Sequence, residues 1–182
     1  MIIRKLKFLF WRYVRRDSVG YFRSLGGKAG KECRIYIWNY GSEPFLIEMG
    51  NRVAIASGVR LLTHDGSTWL IRDGKGRRHY YAKIRIGSNV FIGIDAVIMP
   101  GVVIGDNVIV GSGAVVTKSV PSDAVVAGNP ARIVASFRQY EDYVLREYLS
   151  DEDMDFKLPY RERVERSLTT EPKPVLKFPE KK

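Results

Sequence analysis

A single cysteine, Cys33, and two histidines, His64 and His79, are all that the 182-residue chain offers to a disulfide or a soft metal ion. One cysteine cannot close an internal disulfide, which suits a reducing compartment. Two histidines fall short of a three-histidine zinc centre, so no metal cofactor is expected. No apolar run approaches the length of a membrane span. The opening Met-Ile-Ile-Arg-Lys-Leu-Lys has neither the apolar core nor the small-residue cleavage site of a secretory signal, and the expected location is cytoplasmic. No Pro/Gly/Ser-rich linker divides the chain, which reads as one domain with appendages.

Acidic residues are scarce only in part of the chain. The net charge is +10, but residues 1 to 40 carry ten Lys/Arg against two Asp/Glu, and residues 41 to 85 eight against four. Residues 86 to 135 hold two basic residues, Lys118 and Arg132, against three acids, and the remainder is nearly balanced. A nucleic-acid binder would spread cations along one face with groove-reading or stacking elements; no such module is visible, and no nucleic-acid partner is expected.

What the chain does have is a short period. From Ile86 to Pro121 the sequence divides into IGSNVF, IGIDAV, IMPGVV, IGDNVI, VGSGAV and VTKSVP. Each hexad opens on an aliphatic residue (Ile86, Ile92, Ile98, Ile104, Val110, Val116). Each holds a small apolar one at its fifth place (Val90, Ala96, Val102, Val108, Ala114, Val120). Side chains six apart point the same way in extended chain and fall out of phase on a helix, so the pattern predicts strands joined by corners. Three hexads make a triangular coil of about 18 residues, and stacked coils bury a column of aliphatic side chains. Met49 to His64 supplies a further coil, and Gly30 to Leu46 a degenerate one with Ile35 and Ile37 inward. Between these blocks the phase slips: Met49 to Ile86 spans 37 residues, one more than a multiple of six, and residues 67 to 83 contain the turn signal Asp73-Gly74-Lys75-Gly76. A loop excursion is expected there.

The hexads, with Thr117-Lys118 and Ala127-Gly128-Asn129-Pro130-Ala131-Arg132, resemble the hexapeptide-repeat acyltransferases, in the branch of maltose, galactoside and polysaccharide O-acetyltransferases. The resemblance covers roughly residues 30 to 135 and implies a mainly β fold, a left-handed parallel β-helix. It would carry an N-terminal amphipathic helix, the loop excursion at 67 to 83 and a C-terminal helix. Residues 1 to 29 would be the basic helix and connector, 30 to 135 the acyltransferase domain, and 136 to 182 the C-terminal helix and tail.

The resemblance also implies chemistry. His64 matches the general base that takes the acceptor hydroxyl proton, a role suited to imidazole near neutral pH. The donor would be acetyl-CoA, with Ile94 and Ser112 toward the pantetheine arm and Thr117, Lys118 and Arg132 toward the nucleotide end. Ala135 stands where the family often carries a further basic residue. The acceptor would be a sugar, a polysaccharide precursor, met by Asn39 and by Trp69 and Tyr80 of the loop, and the subunits would form a homotrimer. Two other outcomes stay open: N-acetylation of an amino sugar or nucleotide sugar, and a solenoid binding protein without catalysis.

Two appendages complete the reading. Ile2, Ile3, Leu6, Leu9, Phe10, Tyr13 and Val14 recur at helical spacing among basic residues, predicting one amphipathic helix over 2 to 16. It is expected either to pack its stripe on the coil or a neighbouring subunit, or to touch an anionic membrane through residues 1 to 18, peripherally at the inner surface. After Arg132, Phe137, Tyr140, Tyr143, Val144 and Tyr148 predict a helix over the open end of the coil. Beyond Leu168 an extended tail is expected.

Overall fold

Strand pairing in the computed structural model, which describes residues 2 to 168, cycles through three parallel sheets. The short strands are β1 (Lys28–Ala29), β2 (Arg34–Ile35), β3 (Ile47–Met49), β4 (Val53–Ile55), β5 (Arg60–Leu61), β6 (Arg72–Asp73), β7 (Gly76–Arg77) and β8 (Ile84–Ile86). They continue as β9 (Val90–Ile92), β10 (Val97–Ile98), β11 (Val103–Ile104), β12 (Val108–Val110), β13 (Val115–Val116), β14 (Ala124–Ala127) and β15 (Arg132–Ser136). One sheet runs β1-β3-β8-β11, a second β13-β10-β5 and a third β15-β14-β12-β9-β4-β2. From β3 to β13, leaving aside the separate β6–β7 pair, successive strands visit the three sheets in turn; β1–β2 below and β14–β15 above depart from that order.

The hexad alignment predicts the core. All six aliphatic openers and all six fifth-place residues are buried. In the third sheet, pairing stacks Ile35 under Ile55, then Ile92, Val110 and Val126, a five-rung column in which no member is more than 5% exposed. The 18-residue coil appears directly in the pairs Ile86 with Ile104, Val90 with Val108 and Val97 with Val115. Corners use left-handed backbone at Asn89, Asn107 and Asp123, and the same residues bond upward: Asn89 Nδ2 to Asn107 Oδ1 and Asn107 Nδ2 to Asp123 Oδ1, each 2.9 Å. Glycine is required where coils touch backbone to backbone. A Cβ on Gly93 would lie 2.6 Å from the Ser112 nitrogen.

The sixth hexad departs from the alignment. Val120 pairs with Ile104, not with Val102, so the chain from Val116 takes a corner two residues shorter than the one below it. Ser119 Oγ accepts the Val103 N–H at 3.0 Å, a ladder bond that the shortened corner supplies from a side chain. Lys118 sits on that tight corner.

One expectation about the appendages is corrected. The N-terminal segment is not one regular helix with its stripe on the coil. α1 (Ile2–Leu9) passes into a wider π-type turn at Phe10–Arg15 and stops at Arg16 in left-handed backbone. The second helix, α2 (Ser18–Ser24), is capped by Asp17 accepting the Gly20 N–H at 2.8 Å. The residues that pack are Phe8 and Trp11, with Tyr21, Phe22, Trp38 and Tyr40 forming an aromatic cluster, while Leu6, Leu9, Phe10, Tyr13 and Val14 are exposed. The Tyr40 hydroxyl donates within this buried cluster, and burial pushes its ionisation well above the usual range. At the other end, the sheet edge at β14 is covered by antiparallel β15, and α3 (Phe137–Glu147) has no buried residue.

The chain divides into two compact units, residues 1 to 140 and 141 to 182. α3 begins in the first and continues into the second. Within the second, α4 (Tyr160–Arg166) carries the i,i+4 pairs Arg161–Glu165 and Glu162–Arg166, and Arg163 lies over the Phe156 ring. The expected tail beyond Leu168 lies outside the described residues.

Candidate functional site

His64 stands where the coil gives way to the excursion, and the backbone there explains its place. The chain leaves the coil at Thr63 and returns at Ala82, whose N–H donates to the Thr63 carbonyl at 2.8 Å; Asp65 N–H donates to the Tyr80 carbonyl at 3.1 Å. These bonds, with an antiparallel bridge between His64 and Tyr81, make the excursion a hairpin stem with His64 on its first strand. Beyond the stem, Asp65 caps a short 3-10 turn, accepting both the backbone N–H and the hydroxyl of Ser67. The signal Asp73-Gly74-Lys75-Gly76 becomes the tip of the β6–β7 hairpin. Asp65 is thus occupied in a turn and does not orient the imidazole.

Glu43 does. His64 Nδ1 lies 2.9 Å from Glu43 Oε2, and the Thr63 hydroxyl donates to the same oxygen at 2.7 Å. Burial of this carboxyl would raise its pKa, yet the hydrogen bonds from Thr63 and His64 outweigh it and hold Glu43 below its ordinary 4.5. An ionised carboxylate only accepts, so Nδ1 carries the hydrogen and, in the neutral ring, Nε2 the lone pair. The His64 side chain is 44% exposed and that of Glu43 17%. The ring therefore faces out of the aliphatic column with its buried side tethered.

Sequence reading missed Glu43, because the spacing that brings it to His64 shows only in the strand pairing. The lower coils repeat at 20 residues, as in Arg34 with Ala54 and Lys28 with Glu48, so a residue 20 before Thr63 falls beneath it. The six-residue period predicts 18 and not 20, so the sequence pattern does not single out Glu43. The depressed Glu43 pKa predicts a pH-dependent stability. The contribution of its ionised form is fully present above 4.5 and is lost as pH falls through the lower folded value. Thermal unfolding of wild type and Glu43→Gln should therefore differ near neutrality and converge in acid; a gap unchanged by pH would remove charge as its source.

The other candidate residues fall into separate places. Lys118 and Arg132 line one cavity of about 360 Å³, floored by Val116, Val120 and Val126. The Arg132 side chain also donates to the Ala131 carbonyl at 2.9 Å, after a turn with a cis Asn129–Pro130 bond. Thr117 is exposed beside Lys118. Ile94 and Ser112 are exposed on stacked corners, joined by the Gly113 N–H donating to the Ile94 carbonyl at 2.7 Å. Asn39 lines a different cavity of about 510 Å³ with Arg12, Trp38, Arg60 and Leu62, and its side-chain oxygen accepts the Gly41 N–H at 3.0 Å. Trp69 and Tyr80 are exposed on the excursion at 62% and 50%. His79 stacks on Tyr81 with the rings 6° from parallel. His64 lines neither of these cavities, so the imidazole and the Lys118–Arg132 pair do not share one. Among the described residues no group of three His, Cys, Asp or Glu is placed to hold a metal ion, and no helix is long and apolar enough to cross a membrane.

The family described as bacterial transferase hexapeptide (six repeats) matches residues 83–118. Protein CapG of Staphylococcus aureus is 43% identical over 162 residues, covering 87% of this chain and 92% of CapG. The galactoside O-acetyltransferase of Escherichia coli K12 is 36% identical over 147 residues, 70% of each chain. Among solved structures, galactoside acetyltransferase in complex with coenzyme A superposes with a TM-score of 0.54 at 25% identity, covering 82% of this chain and 85% of that one. A repeat with every opener buried, at this identity to a relative matched over nearly its whole length, makes the chain a member of the hexapeptide-repeat acyltransferase family.

Proposed function

We propose that this protein transfers an acetyl group from acetyl-CoA to a hydroxyl of a sugar destined for a polysaccharide, with His64 as general base. The observation that carries this reading is the outward-facing imidazole whose Nδ1 is held by an ionised, Thr63-bonded Glu43. Membership of the family and the coenzyme A bound to galactoside acetyltransferase support the donor. On this reading the coil is left-handed and the chain works as a cytoplasmic homotrimer. A trimer answers the separation noted above: His64 of one protomer and the Lys118–Arg132 cavity of its neighbour would face one cleft.

The chemistry needs no covalent intermediate. The acceptor O–H gives its proton to His64 Nε2 as its oxygen attacks the thioester carbonyl; the C–S bond then breaks and the thiolate leaves, taking up a proton from the imidazolium. Glu43 holds the ring in the tautomer that accepts at Nε2 and stabilises the positive charge that forms on it. Lys118 and Arg132 would bind the phosphates of the donor, while Ile94 and Ser112 border its arm. Asn39, Trp69 and Tyr80 would meet the acceptor.

Thiol release from acetyl-CoA against free sugars, amino sugars, nucleotide sugars and lipid-linked oligosaccharides tests the assignment; turnover with amines alone would replace O- by N-acetylation, and none with any acceptor would remove the reading. In the same assay Lys118→Ala and Arg132→Ala should each raise KM for acetyl-CoA by about 10- to 100-fold, the loss of one charge-assisted hydrogen bond of roughly 1.5 to 3 kcal/mol, with little change in kcat. An unchanged KM in both would move the donor site elsewhere.

A further inference from the structure

The N-terminal segment has two faces, and the packed one is not the apolar stripe its sequence suggests. Phe8 fixes the segment to the body through Tyr21 and Trp38, with Phe8 to Trp38 centroids 6.1 Å apart at 89°, and Trp11 also packs on the core. Lys7 reinforces this by donating to the Ser24 carbonyl. Phe8 lies two residues from both Leu6 and Phe10, roughly 200° around a helix, so holding Phe8 inward turns those neighbours outward. The result is a row of exposed apolar side chains: Leu6 at 61%, Phe10 at 49%, Tyr13 at 64% and Val14 at 69%. Lys5, Arg12, Arg15 and Arg16 flank it, all exposed, and residues 5 to 16 contain no acid.

We infer that this face docks the protein on an anionic lipid surface, with Leu6, Leu9, Phe10 and Val14 entering the acyl boundary and Lys5, Arg15 and Arg16 meeting headgroup phosphates. Charge decides the occupant. A second copy of the same segment would bring like charges together around the apolar row, whereas an anionic bilayer supplies the complement to both features. Anchoring from the aromatic cluster means the segment needs no refolding to bind, so its ordering cost is already met within the fold. The inference is independent of the acyl-transfer reading, since Leu6, Leu9, Phe10, Val14, Lys5, Arg15 and Arg16 lie outside the site assigned to it, and Arg12, which borders the Asn39 cavity, is not among the groups placed on lipid.

Co-sedimentation of the full chain with vesicles of phosphatidylcholine alone, and of phosphatidylcholine mixed with phosphatidylglycerol, tests it, with light scattering reporting the oligomer. Binding is expected to the mixed vesicles only and to weaken with added salt. Leu6→Ser/Leu9→Ser/Val14→Ser should reduce it by about tenfold or more, and Lys5→Gln/Arg16→Gln should remove its salt dependence in part. Circular dichroism and turnover with a soluble acceptor should be unchanged in both variants. Absence of binding to the mixed vesicles, or equal binding by the triple variant, overturns the inference. So does a smaller oligomer in the triple variant without lipid binding by the wild type, which would assign the face to a contact between copies.

Discussion

Replacing His64 by alanine is expected to lower kcat for acetyl transfer by about 10²- to 10⁴-fold, the range for a lost general base, while KM for acetyl-CoA changes little. The expectation rests on a division of labour within three residues. Glu43 is the anchor: its Oε2 takes hydrogen bonds from the Thr63 hydroxyl at 2.7 Å and from His64 Nδ1 at 2.9 Å. Thr63 is 2% exposed and cannot itself meet an acceptor, so its part is to hold the carboxylate. His64 alone has the reach, being 44% exposed at the side chain. Glu43→Gln should then lower kcat as well, because a carboxamide can present its N–H to the ring and favour the wrong tautomer, whereas KM for the donor should hold. Thiol-release kinetics on the purified variants decide both points. Undiminished turnover in His64→Ala would require another base, and His79, stacked on Tyr81 in the excursion, is the remaining histidine.

The second large effect concerns stability. Ile92→Ala is expected to destabilise the protein by roughly 2 to 5 kcal/mol, read from chemical denaturation at fixed protomer concentration, while Ile92→Val should cost about 0.5 to 1.5 kcal/mol. Ile92 is fully buried and pairs with Ile55 below and Val110 above, so truncation opens a void between two rungs that are themselves constrained by backbone ladders. Close approach of the coils at Gly93 leaves those rungs little freedom to collapse into the space. A loss no larger than that of the valine variant would mean that neighbouring coils slide to refill the column, and that the corner contacts are softer than their spacing implies.

Much of this was legible in the chain because a short period is a local rule repeated many times. Ile86, Ile92 and Ile98 lie on strands of three successive sheets and Ile104 returns to the first, so every repeat confirms the phase of the last. The rule fails where it is broken once. Val120 slides into the column of Ile104 because the corner before it is two residues short, and a single irregular corner leaves no second example to reveal it. The N-terminal stripe misled for a related reason. Helical periodicity identifies two faces but not which one meets the body, and a cluster of bulky rings on Phe8 and Trp11 won over a longer row of aliphatic residues.

Local order along the chain determined by itself the repeating short strands, their buried aliphatic positions, the point at which the excursion leaves, and His64 at that point. Only the folded chain decided that Glu43 holds His64, that Lys118 and Arg132 share a cavity apart from it, and that Leu6, Leu9, Phe10 and Val14 face outward. The physical reason is one of range. Hexads act between neighbours and repeat, whereas a hydrogen bond across 21 residues or a packing choice between two faces depends on the register of whole coils, which a sequence carries only as a sum of its irregular corners.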